Sequence, residues 1–262
     1  ASILCRLTGV PPVVIGMTVV SVGTSLPEII VSVSASLHGQ LDLAVGTAIG
    51  SNIVNILLIL GLAALLHPFR VHSDVLRREL PLMLIVSLLA GCVFYDGVLS
   101  YSDGIFLLAL AVIWLLYSVK IARLAEKQGQ DSLTREQVAE LPREGTLPVA
   151  LLWLGVALII MPMATRMVVD NATVLANYFA ISELTIGLTV IAIGTSLPEL
   201  ATAIAGARKG EDDIAIGNII GSNIFNIAIV MGLPALITPG PFNPLAFSRD
   251  YGVMLLVSVI FA

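Results

Sequence analysis

The sequence predicts an all-α, polytopic helical membrane protein made of two inverted five-helix repeats, and three observations predict it. The chain is 57% hydrophobic and 12% charged with a mean hydropathy of +1.00, too apolar for a soluble domain of 262 residues. Apolar stretches of spanning length recur along it. It also states one message twice: GTSLPE at 23–28 returns at 194–199, and GSN-I-x-NI at 50–56 returns at 221–227, both after 171 residues (23 to 194, 50 to 221). The same interval relates Gly16 to Gly187, Thr18 to Thr189, Asp42 to Asp213, Gly46 to Gly217 and Gly61 to Gly232.

Taken in order, stretches able to cross a bilayer as helices of roughly 17 to 25 residues fall at 13–37, 41–66, 80–97, 102–121, 147–165, 184–207 and 212–237, and another starts near 249. The register of the duplication predicts a parent of ten spans, five per repeat, of which this chain carries seven and part of an eighth. Residues 1–121 then form a first unit lacking its opening helix, 122–146 a linker, and 147–262 a second unit lacking its last. An odd number of spans per unit turns the second copy upside down relative to the first.

Charge supports that topology. If the segment before residue 13 faces side X, X collects Arg6, Arg70, Arg77, Arg78, Lys120, Arg123, Lys127, Arg135, Arg143, Arg208 and Lys209, leaving only Arg166 and Arg249 for the other side. The positive-inside rule makes X the cytoplasm and places the 122–146 linker there, with a short capped helix from Ser132 that Pro142 ends. Cys5 and Cys92 lack the spacing of a metal or redox motif and read as small packing residues. His38, His67 and His72 fall at span ends or in loops and read as solvated.

The polar residues inside the apolar segments carry the chemistry. Glu28 and Glu199 occupy equivalent places in two spans, where an ionised carboxylate costs at least ~2.5 kcal/mol and marks an ion path or proton relay. Pro27 and Pro198 precede them, and each lacks an N–H and clashes with the carbonyl four residues back, at Gly23 and Gly194, so both helices are expected to kink or break there. Freed carbonyls at such depth are tolerated only where protein, water or ions satisfy them. The neighbouring spans add Ser51, Asn52 and Asn55, and Ser222, Asn223 and Asn226; positions 51 and 55, like 222 and 226, share a helix face. Gly46 and Gly50, with Gly217 and Gly221, are small-xxx-small pairs that admit another helix.

The inventory is all oxygen, without the His or Cys that zinc or copper favours, and it suits a hard cation such as Ca²⁺, which takes about 6 to 8 oxygen ligands. An empty site with both glutamates ionised carries two negative charges. One Ca²⁺, two Na⁺ or two protons would neutralise it, so the ions compete for it. Protons need no ring of amide, hydroxyl and carbonyl oxygens, which favours metal ions on both legs.

The paired GTSLPE and GSN-I-x-NI motifs resemble the α-repeats of the cation/Ca²⁺ exchanger superfamily, specifically the bacterial sodium/calcium antiporters. The resemblance implies an electrogenic antiporter of the bacterial inner membrane, working by alternating access at a midplane site and exporting Ca²⁺ in exchange for several Na⁺. It implies that Glu28 and Glu199 bind Ca²⁺ with the backbone carbonyls of Thr24 and Thr195. It further implies Na⁺ sites at Ser25, Ser51 and Asn55 and at Ser196, Ser222 and Asn226, with carbonyls near Ser21 and Ala192. Some relatives carry Asp where this chain has Asn226, which bears on the number of Na⁺ bound and on H⁺ or K⁺ tolerance. The expected partners are Ca²⁺, Na⁺ and the lipid bilayer, with no cofactor, no nucleic acid and no enzymatic activity. A proton/Ca²⁺ or K⁺-dependent cation antiporter is the alternative, and a passive cation channel stands behind it.

Overall fold

A computed structural model describes residues 16–68, 73–128 and 178–262, together with scattered helical positions between 148 and 174. Much of the span expected at 147–165, most of the 122–146 linker with its helix from Ser132, Cys5 and His72 lie outside the described residues. The architecture is helical, as the composition predicts.

The first motif segment is two helices: α1 (Gly16–Thr24) and α2 (Leu26–Leu37) meet at a 49° bend. The hinge is Ser25, at φ −85°, ψ 6°. Pro27 cannot donate to the Gly23 carbonyl and its ring crowds it, so the helix restarts with a new axis. α3 (Leu41–Leu66) follows. Its 26 residues at 1.5 Å rise exceed the ~30 Å hydrocarbon thickness. α4 (Ser73–Phe94) starts well before the apolar stretch read from 80, because hydropathy marks the lipid-immersed part of a helix and not its polar first turns. Its buried stripe is Leu80, Met83, Val86, Ser87, Ala90 and Phe94, the 3-to-4 spacing of one helical face. Cys92 lies off that stripe and is exposed, which corrects its reading as a packing residue.

Strand β1 (Val98–Leu99) leads into α5 (Tyr101–Gln128). The second motif segment repeats the first: α6 (Glu183–Thr195) and α7 (Leu197–Lys209) meet at 41°, with the hinge at Ser196, φ −86°, ψ 6°. Gly210 ends α7 in the left-handed conformation, φ 70°, which favours glycine. α8 (Asp212–Ile237) matches α3 in length. Strand β2 (Gly240–Pro241) pairs antiparallel with β1, tying a loop of one unit to a loop of the other. Helix α9 covers 246–261, formed by Ala246–Tyr251 and Gly252–Phe261. By length and composition, α3, α5 and α8 can cross a membrane, and each bent pair counts as one further span among the described residues.

The two units interlock under the 171-residue shift. A Cβ on Gly50 would stand 2.5 Å from the carbonyl oxygen of Leu188, and one on Gly221 would collide with the carbonyl of Met17, the equivalent of Leu188. Thus α6 lies directly on the backbone of α3, and α1 on that of α8. Around this crossing the core gathers Met17, Ile49, Trp114, Ile220, Phe225 and Tyr251. The Tyr251 hydroxyl donates to the Ser87 carbonyl at 2.6 Å, whereas the buried Trp114 Nε1 has no hydrogen-bond partner among the described residues.

One contact between the units has no counterpart. Pro234 removes the amide that would serve the Val230 carbonyl, and the Ser32 hydroxyl of α2 supplies a donor to it at 2.7 Å; Thr238 returns one to the Ser36 carbonyl at 2.7 Å. The matching positions of the other half, Ile59, Ala63 and Ala203, form an apolar cluster. Ser32→Ala strips a donor from a fully buried carbonyl and is expected to destabilise the protein by about 1–3 kcal/mol, read as a lowered unfolding midpoint in detergent, whereas Ala203→Gly removes one methyl and no hydrogen bond.

Candidate cation site

Each hinge delivers a serine, a threonine and a glutamate to the centre of the molecule. Glu28 lies in the first turn of α2 and Glu199 in the first turn of α7, where the positive end of the helix favours a carboxylate. Both side chains are fully buried. Ser25 and Ser196 stand at the N-cap positions, yet neither caps its own helix. Pro27 and Pro198 remove one amide that such a cap would use, and the hydroxyls are directed elsewhere.

They cross to the opposite repeat. Ser25 Oγ donates to Glu199 Oε1 at 3.1 Å, and Ser196 Oγ donates to Glu28 Oε1 at 3.2 Å. Ser222 Oγ adds a second contact to Glu199 Oε1 at 3.3 Å and stands 3.2 Å from Ser25 Oγ. The other carboxylate oxygen, Oε2, has no partner in either glutamate, and neither do Ser51 Oγ, Asn55 Oδ1 and Asn226 Oδ1. No cationic side chain is among the hydrogen-bond partners of the two glutamates in the described residues. Buried oxygens are paired as a rule, so the two carboxylate oxygens, two amide oxygens and one hydroxyl left open on the predicted residues offer lone pairs that a bound cation would engage.

Asn55 and Asn226 each begin a π-helical turn, Asn55–Leu60 and Asn226–Val230. The Asn226 carbonyl accepts the amide of Met231, five residues on, at 3.1 Å. Such widened turns occur at functional positions, and here they fall on both asparagines singled out from the repeat. Thr24 Oγ1 donates to the Ser21 carbonyl at 3.4 Å and Thr195 Oγ1 to the Ala192 carbonyl at 3.4 Å. Those two carbonyls also accept the hinge amides of Ser25, at 2.9 Å, and Ser196, at 3.1 Å. Ser21 and Ala192 therefore sit one turn below the breaks with their carbonyls already engaged, unlike the open oxygens above them. The Ser21 hydroxyl folds back onto the Met17 carbonyl.

Three sets of residues at this centre fall outside the predicted ligands. Asn52 and Asn223 bind the other two asparagines: Asn55 Nδ2 donates to Asn223 Oδ1 at 3.0 Å, and Asn226 Nδ2 to Asn52 Oδ1 at 3.1 Å. Asn218 Oδ1 accepts from Thr24 Oγ1 at 3.2 Å; it lies four residues before Ser222, on the same face, which is the signal that could have found it. Met83 and Met254 approach Asn223 and Asn52, and they too are 171 residues apart.

The comparisons with known proteins agree with one another. The family described as sodium/calcium exchanger protein matches residues 1–120 and 149–262. The inner membrane protein YrbG of Escherichia coli strain K12 is 80% identical over 262 residues, which is 100% of this chain and 81% of that protein. The putative antiporter CaxA of Alkalimonas amylolytica is 44% identical over 259 residues, 99% of this chain and 81% of that protein. Among solved structures, the sodium-calcium exchanger NCX_Mj soaked with Na⁺ and Sr²⁺ superposes with a TM-score of 0.78 at 32% identity, covering 98% of this chain and 80% of that one.

Proposed function

The chain belongs to the sodium/calcium exchanger protein family, and we propose that it is an electrogenic antiporter that expels Ca²⁺ from the cytoplasm in exchange for Na⁺ across a bacterial inner membrane. The observation that carries this reading is the crossed carboxylate pair: two fully buried glutamates, each held through one oxygen by a serine of the opposite repeat and each left with its other oxygen open.

Ca²⁺ is held between Glu28 and Glu199 with the carbonyls of Thr24 and Thr195. Na⁺ ions take Ser25, Ser51 and Asn55 of the first repeat and Ser196, Ser222 and Asn226 of the second, with Ser25 and Ser222 together beside Glu199 and the Ser21 and Ala192 carbonyls at the outer edge. One divalent ion neutralises the two carboxylates, and Na⁺ ions do so in its place. Without either, two buried negative charges resist passage through the apolar barrier, at a cost of at least ~2.5 kcal/mol each, and this keeps exchange from becoming leak. Two Na⁺ balance the carboxylate pair and a third, held by hydroxyl, amide and carbonyl oxygens, moves net positive charge inward, and each such charge contributes ~2.3 kcal/mol per 100 mV.

The deciding experiment uses the protein in proteoliposomes loaded with Na⁺ and diluted into Na⁺-free buffer containing labelled Ca²⁺. Uptake is expected to require the Na⁺ gradient, to persist with the pH gradient collapsed, and to accelerate when the interior is made positive. Uptake that follows a pH gradient without Na⁺ would assign the protein as a proton/Ca²⁺ exchanger instead.

A further inference from the structure

The orientation of an asparagine amide is fixed by its partners, because its two ends differ only in whether they donate or accept. At Asn52 both donors are engaged: Nδ2 reaches the Asn223 carbonyl at 3.2 Å and the thioether sulfur of Met254 at 3.5 Å. Its Oδ1 must then face the other way, where it accepts from Asn226 Nδ2 at 3.1 Å. That contact turns the Asn226 amide so that Oδ1 has no protein partner.

The second repeat does the same in exchange. Asn223 Nδ2 points to Met83 Sδ at 3.8 Å, Asn223 Oδ1 accepts from Asn55 Nδ2 at 3.0 Å, and Asn55 Oδ1 is left open. Met83 and Met254 are both buried, with 1% and 0% exposure. Each belongs to the repeat opposite the asparagine it meets, at the same 171-residue interval as the motifs.

We infer that Met83 and Met254 are positioning residues for cation selectivity: through Asn223 and Asn52 they hold Asn55 and Asn226 with oxygen, and not NH₂, toward the transported cation. The inference rests on the antiporter reading for the identity of the cation but not for the relay itself. Leucine would fill nearly the same volume and accept nothing, while a thioether fills it and offers a weak acceptor. Neither sulfur is a ligand, since Na⁺ and Ca²⁺ are hard and take oxygen. Losing Met83 removes the acceptor that holds Asn223 Nδ2, while losing Met254 removes one of the two that hold Asn52 Nδ2 and leaves the Asn223 carbonyl, so the larger effect is expected at Met83; a reversed Asn55 or Asn226 would present an N–H dipole to a positive ion.

The test compares wild type with Met83→Leu, Met254→Leu and Met254→Gln, the last restoring an acceptor of similar reach. Half-saturating Na⁺ and Ca²⁺ in the proteoliposome assay is expected to rise about two- to fivefold in the leucine variants, within the worth of a modest neutral hydrogen bond, and to recover in Met254→Gln. The unfolding midpoint without added cation should stay near that of wild type, because Met-to-Leu exchange conserves core volume. Unchanged half-saturation, or a loss of stability at zero cation with no shift in half-saturation, overturns the inference. A second arm needs no transport: with ¹³C-methyl methionine, Asn226→Ala should move the Met254 signal and Asn55→Ala the Met83 signal through the intervening asparagine. Signals that stay in place overturn the relay whichever cation the site takes. Signals that move while wild type shows no Na⁺-driven uptake leave the relay standing and remove the antiporter reading.

Discussion

Glu28→Gln and Glu199→Gln are each expected to abolish Na⁺-driven Ca²⁺ uptake. Glutamine keeps the size of the side chain and still offers an oxygen to the crossing serine, Ser196 for Glu28 and Ser25 with Ser222 for Glu199. What changes is charge. With one carboxylate, the site holds Ca²⁺ with one positive charge uncompensated in the apolar centre, at a cost of at least ~2.5 kcal/mol. That alone is roughly a fiftyfold loss in apparent affinity, before the loss of a charged ligand is added. The measurement is initial ⁴⁵Ca²⁺ uptake in the same proteoliposomes, with folding checked by monodisperse elution in detergent. Retention of a tenth or more of wild-type uptake by either single variant contradicts the crossed-pair site.

Gly221→Ala is expected to cost about 3 kcal/mol, the upper range for overfilling a packed interior, and to suppress transport as well. The added methyl meets backbone on all three sides, the Met17 carbonyl oxygen, Cα and carbonyl carbon, and none of these can rotate out of the way. The only relief is to separate α1 from α8, which pulls the Ser25 hinge from Ser222, the residue next to Gly221 in α8. Gly50→Ala meets the Leu188 carbonyl at 2.5 Å and should act alike. Gly61→Ala is the control, since nothing lies within 4 Å of its Cβ, and there alanine favours the helix by ~1 kcal/mol over glycine. Thermal unfolding in detergent and labelled uptake, measured on the same three preparations, check both halves of the expectation.

Much of this architecture is legible in the chain because the repeat makes local signals count twice. Pro27 and Pro198 announce the two hinges, and two of the π-helical turns among the described residues begin at the two asparagines singled out by their spacing. What periodicity cannot give is pairing across the repeats. Residues 25 and 28 are neighbours in one segment, yet the bend at Ser25 sends its hydroxyl to Glu199 of the other repeat. Asn52 and Asn223 are visible as polar residues, but their role as holders of Asn226 and Asn55 depends on α3 and α8 meeting. Met83 and Met254 escaped because an apolar residue in an apolar helix stands out only once the 171-residue interval is carried past the motifs. The early start of α4 at Ser73 was hidden for another reason: its first turns are charged, and only its apolar part carries a hydropathy signal.

The crossing of the hinge serines sets a rule for how this protein can change over generations. A replacement at position 25 alters the environment of the carboxylate encoded 174 residues later, and one at 196 that of the carboxylate encoded 168 residues earlier. Neither half of the coding sequence is a heritable unit of function on its own, because each supplies the clamp for the other's acid. Duplication did not give this chain a spare copy free to drift; it gave two copies that must be kept in step.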